Sequence, residues 1–312
     1  MKIAIVGSGA LGCLIAGFFK NRTKEDVWLV DHFSERAKKI GRDGIKVEFT
    51  GGSFISRVSV TAAPKDVGHC DLVILCVKSY STEDACKEMK ELVGTTTNIL
   101  TLQNGIGNMQ ILNDTFGPEK VIGGVTNHGA TLLGAGHVRH AGKGDTVIGR
   151  PDGRVLGAVR DIAVVLTKAG LDTKVSKDID SAIWSKLVIN VGINALTAIT
   201  RLNNGALMEH DEPRQVMRGA VQEAVKVVKR KRIKLSYDDP IQKVESVCKA
   251  TGANMSSMLQ DVLNVKRTEI DFINGAIVRQ AKALNIPTPI NEVLTNLVKT
   301  MESSYDKAGR RE

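Results

Sequence analysis

Apolar residues fall into two different rhythms along this chain. In the first half, short unbroken apolar runs alternate with stretches whose apolar positions recur every three or four residues. The runs at 2–6, 27–31, 72–77, 98–102 and 121–125 predict strands, and the wholly apolar 72–77 predicts one buried on both faces. Between them, 10–20, 34–42, 81–92 and 109–116 predict helices. Residues 45–49 and 54–60 read as short strands around Gly51-Gly52, and the Gly- and β-former-rich 131–150 as a small antiparallel extension. Such alternation predicts an α/β fold with a Rossmann-type, doubly wound parallel sheet. A helix at 154–169 and an edge strand at 173–176 complete it. Beyond Asp178 the pattern turns helical at 179–200, 213–233, 240–249, 265–284 and 290–306. The expected division is an α/β domain over 1–176 and an all-helical domain over 177–312.

The first strand runs straight into Gly7-Ser8-Gly9-Ala10-Leu11-Gly12 and the first helix. In that setting each glycine has a physical reason. Gly7 permits the tight turn, Gly9 lets a pyrophosphate approach the backbone, and Gly12 lets the helix pack closely on the sheet. The helix N-terminus offers unpaired N–H groups and partial positive charge. The first domain therefore reads as a dinucleotide-binding domain, with residues 7–12 as its cofactor loop. Asp31 ends the second strand, where a carboxylate accepts from a ribose 2′-OH and repels a 2′-phosphate; this favours NADH, although Arg36 and Lys38 stand close enough to offset the charge. Lys78 and Asn104 follow the third and fourth strands of the parallel pattern, at the carboxyl ends where such sheets bind ligands.

Composition alters this picture little. Of 312 residues, 42% are hydrophobic and 25% charged, enough for two cores, while 4% aromatic content argues against stacking platforms for single-stranded nucleic acid. The net charge of +9 is concentrated around 226–234 and in Arg310-Arg311, with no recognition motif, so it reads as a solvated face and not a nucleic-acid site. Five scattered cysteines without a CxxC pair suggest reduced thiols and a cytoplasmic protein. No metal-ligand spacing appears; His128, His137 and His140 lie in strands and turns. No apolar run reads as a membrane span, and no nucleic-acid or membrane partner is expected.

In the helical half, Lys186, Asn190 and Asn194 are spaced by four within an otherwise apolar helix. They form one stripe. Buried polar groups need partners, so the stripe suits a carboxylate-bearing or polyhydroxylated small molecule, or else a structural polar seam. Ser256 and Ser257 read as the opening of a short helix, and Glu269 and Asp271 as acids near the start of a long one.

These motifs, with LQNGIGN at 102–108, TNHGA at 126–130, LNNGAL at 202–207, SSMLQDV at 256–262 and KRTEIDFINGAIV at 266–278, resemble the ketopantoate (2-dehydropantoate) reductase family essentially end to end. The resemblance implies reduction of 2-dehydropantoate to (R)-pantoate, on the route to pantothenate and coenzyme A. It implies that Lys186 is the proton donor and that Asn190, Asn194, Asn204 and Ser257 bind substrate. Glu269 supports the cofactor ribose and the site, and Asn104 and Ala130 line the cofactor, Asn104 also touching substrate. Many members carry an Arg after the second strand and use NADPH; here Asp31-His32 stands there, which puts that preference in question. A homodimer through the helical domain is the family expectation. The competing readings are a dehydrogenase of another 2-oxo or 3-hydroxy acid and a non-catalytic dinucleotide sensor; the latter has no need of a proton donor.

Overall fold

The computed structural model describes residues 1–305. Contacts divide them into two compact units: Met1–Gln103 with Asn108–Ile179, and Asn104–Gly107 with the chain from Asp180 onward. The change falls just past residue 176, and a short loop from the first half belongs to the second unit.

The first unit contains β1 (Lys2–Val6), α1 (Ala10–Arg22), β2 (Asp26–Val30), α2 (Ser34–Asp43), β3 (Ile45–Phe49), β4 (Gly52–Ser56), β5 (Ser59–Thr61) and β6 (Leu72–Leu75). It continues with α3 (Thr82–Glu88), β7 (Asn98–Thr101), α4 (Asn108–Phe116), β8 (Val121–Thr126), β9 (Gly129–Gly134), β10 (His137–Gly142), β11 (Thr146–Gly149), α5 (Gly157–Lys168) and β12 (Thr173–Val175). Eight strands form a sheet in the order β12-β11-β8-β7-β6-β1-β2-β5, parallel throughout except where β11 runs against β8. Its centre is apolar on both faces: every residue of β6 is buried, as are Ile3, Ala4, Ile5 and Val6. Helices covering both faces of a parallel sheet require such strands. A second sheet, β4-β3-β10-β9, also packs on α1, which explains why that helix buries an unbroken stretch from Gly12 to Phe19 instead of one stripe.

Four expectations need correction. The 54–60 run is two strands in different sheets: β4 pairs antiparallel with β3, whereas β5 joins the edge of the large sheet beside β2. The 131–150 extension is divided likewise, since β11 belongs to the large sheet and β10 runs parallel to β3. Local pattern identifies such strands but not their partners. The other two concern 179–200 and 265–284, described below.

The second unit is helical: α6 (Ile179–Thr200), α7 (Asp211–Arg230), α8 (Pro240–Ala250), α9 (Ser257–Leu263), α10 (Asn274–Lys282) and α11 (Pro289–Ser303). Its core is built on Leu187, Val188, Val191 and Ala195 of α6 with Met217, Ala220, Val221 and Ala224 of α7. Gly192 allows this approach, because a Cβ there would lie 2.9 Å from both Val221 Cγ2 and Val244 Cγ1. With 22 residues, α6 is long and apolar enough to cross a membrane, contrary to the sequence reading; 67% of its most apolar window is buried inside the protein, so its apolarity serves the core. The expected helix at 265–284 is interrupted. A left-handed Val265 (φ 54°) and the bond from Lys266 N–H to the Asp261 carbonyl close α9, and only a 3₁₀ turn at Ile270–Phe272 precedes α10. Glu269 therefore lies before that turn and not near the start of a long helix. The predicted helix end at Asp306 and the Arg310-Arg311 pair lie outside the described residues.

His128, buried, and the half-buried His140 give the first unit one acid-sensitive contribution to its stability. His128 Nδ1 lies 2.9 Å from His140 Nε2, and the rings stack at 5.1 Å. Burial, then the neighbouring His140 and the Lys143 and Arg22 charges, pushes His128 down to about 4, and burial lowers His140 too. Histidines held neutral in the fold take up protons on unfolding, so stability is lost as pH falls from the ordinary histidine value of 6.5 toward about 4. Denaturant unfolding at stepped pH is expected to show H128F (His128→Phe) losing less stability over this interval than the wild type. Equal losses would assign the acid sensitivity to other groups.

Candidate active site

The glycine loop leaves β1 as its sequence requires. Gly7 has φ +105°, and a Cβ there would lie 2.8 Å from the Val77 amide nitrogen; one on Gly12 would lie 1.8 Å from the Gly7 carbonyl oxygen. Gly9 is different, because a Cβ would meet nothing within 4 Å. That open approach beside the N-terminus of α1 fits a pyrophosphate. Gly9 caps the helix without a side-chain hydrogen bond, and the first turn, which includes Ala10, Leu11 and Gly12, carries no acid. Ala130 lies on β9, partly buried against the core around α1. Lys78 follows β6 and caps a 3₁₀ turn at Ser79–Ser81.

Asp31 does not present an open carboxylate. Its side chain is fully buried at the end of β2. Ser8 Oγ and Arg36 Nε donate to Oδ2, while Phe33 N–H (2.9 Å) and Arg36 Nη2 (2.7 Å) donate to Oδ1. Burial raises the carboxyl pKa, but the bonds from Arg36, Ser8 and Phe33 outweigh it and hold the group below the usual carboxylate range. A carboxylate has about four acceptor positions, so a ribose hydroxyl must displace one of these donors. What faces outward is cationic and aromatic instead. The Arg36 side chain is 34% exposed, and its guanidinium lies 4.8 Å from the ring centre of Phe33, next in sequence to the exposed His32. Lys38 turns away to Glu35 at 2.8 Å.

In the second unit, α6 carries Lys186, Asn190 and Asn194 on one stripe, as the spacing predicts. The 104–107 loop and Glu269 come to the same region. Asn104 Nδ2 donates to Glu269 Oε2 at 3.3 Å, and Ile106 N–H donates to the Phe272 carbonyl. Gly105 is required for that approach, since at φ +80° a Cβ would be 2.3 Å from the Phe272 carbonyl oxygen. The Asn-Gly pair is thus a packed element and not an ordinary surface turn. Burial pushes the Lys186 ammonium down to about 8, against the buried Glu269 carboxylate, which favours the charged form.

Four asparagines, Asn113, Asn194, Asn204 and Asn274, have a buried polar atom that the protein does not satisfy, and two of them are predicted site residues. Asn194 is 4% exposed, and its Nδ2 has no hydrogen-bond partner. Asn204 is 8% exposed; its Nδ2 donates to Thr251 Oγ1 at 2.9 Å while its Oδ1 has none. An unsatisfied buried polar group costs about 1–3 kcal/mol, so such atoms are informative where a ligand can supply the partner. Ser257 is the first residue of α9, half-buried behind its N-cap Ser256, whose Oγ accepts from Leu259 N–H at 3.0 Å. Thr251 and Thr197 were not apparent from sequence. Thr197 lies three residues beyond Asn194, so extending the stripe would have found it, whereas nothing local marks Thr251. The cysteines add no chemistry: all five are unpaired, and burial pushes the Cys13 thiol up to about 12. Among the described residues no group of three His, Cys, Asp or Glu side chains could hold a metal ion.

Comparison with known proteins identifies the family. Residues 3–153 match the family model described as "Ketopantoate reductase PanE/ApbA", and residues 178–302 its "C terminal" counterpart. A 2-dehydropantoate 2-reductase of Halobacterium salinarum is 36% identical over 301 residues, covering 96% of this chain and 98% of its own. The crystal structure of a PanE/ApbA family ketopantoate reductase from Ralstonia eutropha JMP134 superposes with a TM-score of 0.90 at 33% identity, covering 98% of this chain and 100% of that one. A ternary structure of D-mandelate dehydrogenase with NADH and anilino(oxo)acetate gives 0.91 at 29% identity, again covering 98% and 100%. With both halves matched by family models and a curated relative aligned over nearly its whole length, the chain belongs to the ketopantoate reductase family.

Proposed function

We propose that this chain reduces 2-dehydropantoate to (R)-pantoate with NADPH, using Lys186 as the general acid. The observation that carries this reading is the ammonium on the α6 stripe, brought near neutrality by burial beside Glu269 and followed by Asn194 with its unsatisfied Nδ2. When bound, a dihydronicotinamide cofactor would supply the hydride that the keto carbon accepts. As negative charge builds on the keto oxygen, the Lys186 Nζ donates a hydrogen bond and then a proton. Glu269 keeps the amine protonated before the step, and Asn104, bonded to Glu269, holds that carboxylate in orientation. Asn190, Asn194, Asn204 and Ser257 supply amide and hydroxyl groups for the substrate's carboxylate and hydroxyl. Fixing the substrate at several points favours the productive geometry.

Residues 7–12 carry the pyrophosphate, with Lys78 and Ala130 as further cofactor contacts. The NADPH preference rests on Asp31. Its charge is neutralised by Arg36, so the repulsion expected of a carboxylate there is removed, and the exposed part of the guanidinium is suited to a 2′-phosphate. One neighbour, D-mandelate dehydrogenase, favours a second reading in which the same polar set takes a different 2-oxo acid; parallel kcat/KM values with 2-dehydropantoate and 2-oxo acids bearing aromatic side chains separate the two.

Lys186→Ala is expected to lower kcat roughly 10²-fold or more in a cofactor-oxidation assay at 340 nm. Near-native turnover would remove Lys186 from the acid role. In the wild type, kcat/KM falls as pH rises through about 8, where the amine loses its proton; a flat profile to pH 10 would contradict the assignment. Arg36→Ala should lower kcat/KM with NADPH by about tenfold or more while leaving that with NADH nearly unchanged. Equal losses with both cofactors would show that Arg36 does not read the 2′-phosphate.

A further inference from the structure

We infer that Thr197 is a positioning residue for the substrate site: through Ser256 it fixes Ser257 against the asparagine stripe of α6. The inference rests on the proposed substrate role of Ser257, but the contact itself does not.

Thr197 is fully buried on α6, three residues beyond Asn194. Its Oγ1 lies 2.7 Å from Ser256 Oγ and 3.0 Å from the carbonyl oxygens of both Ile193 and Asn194. Ser256 is buried too, and its Oγ accepts from Leu259 N–H. Two hydroxyl protons serve these contacts, and their direction follows from what each oxygen can do. The Thr197 hydroxyl donates to the α6 carbonyls. Ser256 then donates to Thr197 Oγ1 while accepting from Leu259. The result is a directed, fully buried chain from the Leu259 amide through two hydroxyls to the backbone of Asn194. Chains of this kind polarise one another and lose more than one bond when broken.

Its placement gives it a functional consequence. One end is the helical turn that carries Asn194; the other is the cap that begins α9 at Ser257. Seven residues cannot hold their own register firmly, since short helices depend on caps and packing. The hydroxyl of Thr197 therefore sets the distance between two sides of one binding site, which a methyl group in its place cannot do.

The test compares T197V, T197S and S256A with the wild type. Loss of the contact should raise the KM for 2-dehydropantoate roughly tenfold in T197V and in S256A, with kcat and the KM for NADPH within about twofold of wild type. T197S, which keeps the hydroxyl, should restore the wild-type KM. The T197V/S256A double variant should be little worse than S256A alone, because S256A already breaks the chain that T197V breaks. An unchanged 2-dehydropantoate KM in T197V, a T197S variant as impaired as T197V, or parallel rises in both KM values would overturn the inference. If the wild type does not reduce 2-dehydropantoate, the substrate reading fails, and amide hydrogen exchange at Leu259 then decides the positioning role. T197V should accelerate that exchange and T197S should not; equal protection in all three proteins overturns it.

Discussion

The Lys186 ammonium is placed where water solvates it poorly. Lys186 projects from a helix whose neighbouring Leu187, Val188 and Val191 are buried in the core, and burial disfavours its charge while Glu269 favours it. Neither influence alone would suit proton donation. A lysine in water is a weak acid, and burial without a carboxylate would disfavour its protonated form. In the proposed acid role, the balance brings the group near neutral pH, the condition under which acid catalysis is most effective. The rest of the helical unit supports that balance. The α6 and α7 core excludes water, and the Asn104–Gly105 loop is pinned to the Phe272 carbonyl, holding Asn104 against Glu269.

The first unit solves a different problem with the opposite means. Its site is backbone, with side chains removed at the three glycines. Where a Cβ would collide, at Gly7 and Gly12, the glycine serves packing; where a Cβ would meet nothing, at Gly9, it leaves room for a ligand. The charge at the end of β2 is a matter of pairing. Asp31 alone would be an acid facing a ribose, but bonded to Ser8, Phe33 and Arg36 it becomes the anchor of a guanidinium.

Much of this was legible in the sequence, for identifiable reasons. Helix 179–200 matched its pattern to the residue, and the parallel strands were evident because burial on both faces leaves unbroken apolar runs. The Lys186, Asn190 and Asn194 stripe was visible from spacing alone. What sequence could not convey was partnership. Nothing local tells β5 to leave β4 and join β2, or β11 to join the large sheet. The apolar positions of 265–284 keep helical spacing, yet a left-handed Val265 and a closing bond to Asp261 end one helix there and delay the next. Asp31 was misleading for the same reason: residue type predicts a free carboxylate, and only the fold reveals that its acceptor positions are taken.

Direct titration of Lys186 measures how far burial has shifted its ammonium. In protein labelled with ¹³C at the lysine Cε, with the resonance assigned by its loss in Lys186→Arg, one signal should titrate near pH 8. A Lys186 signal that stays unshifted until pH 10 or above would contradict the account, because the side chain would then be an ordinary solvated amine.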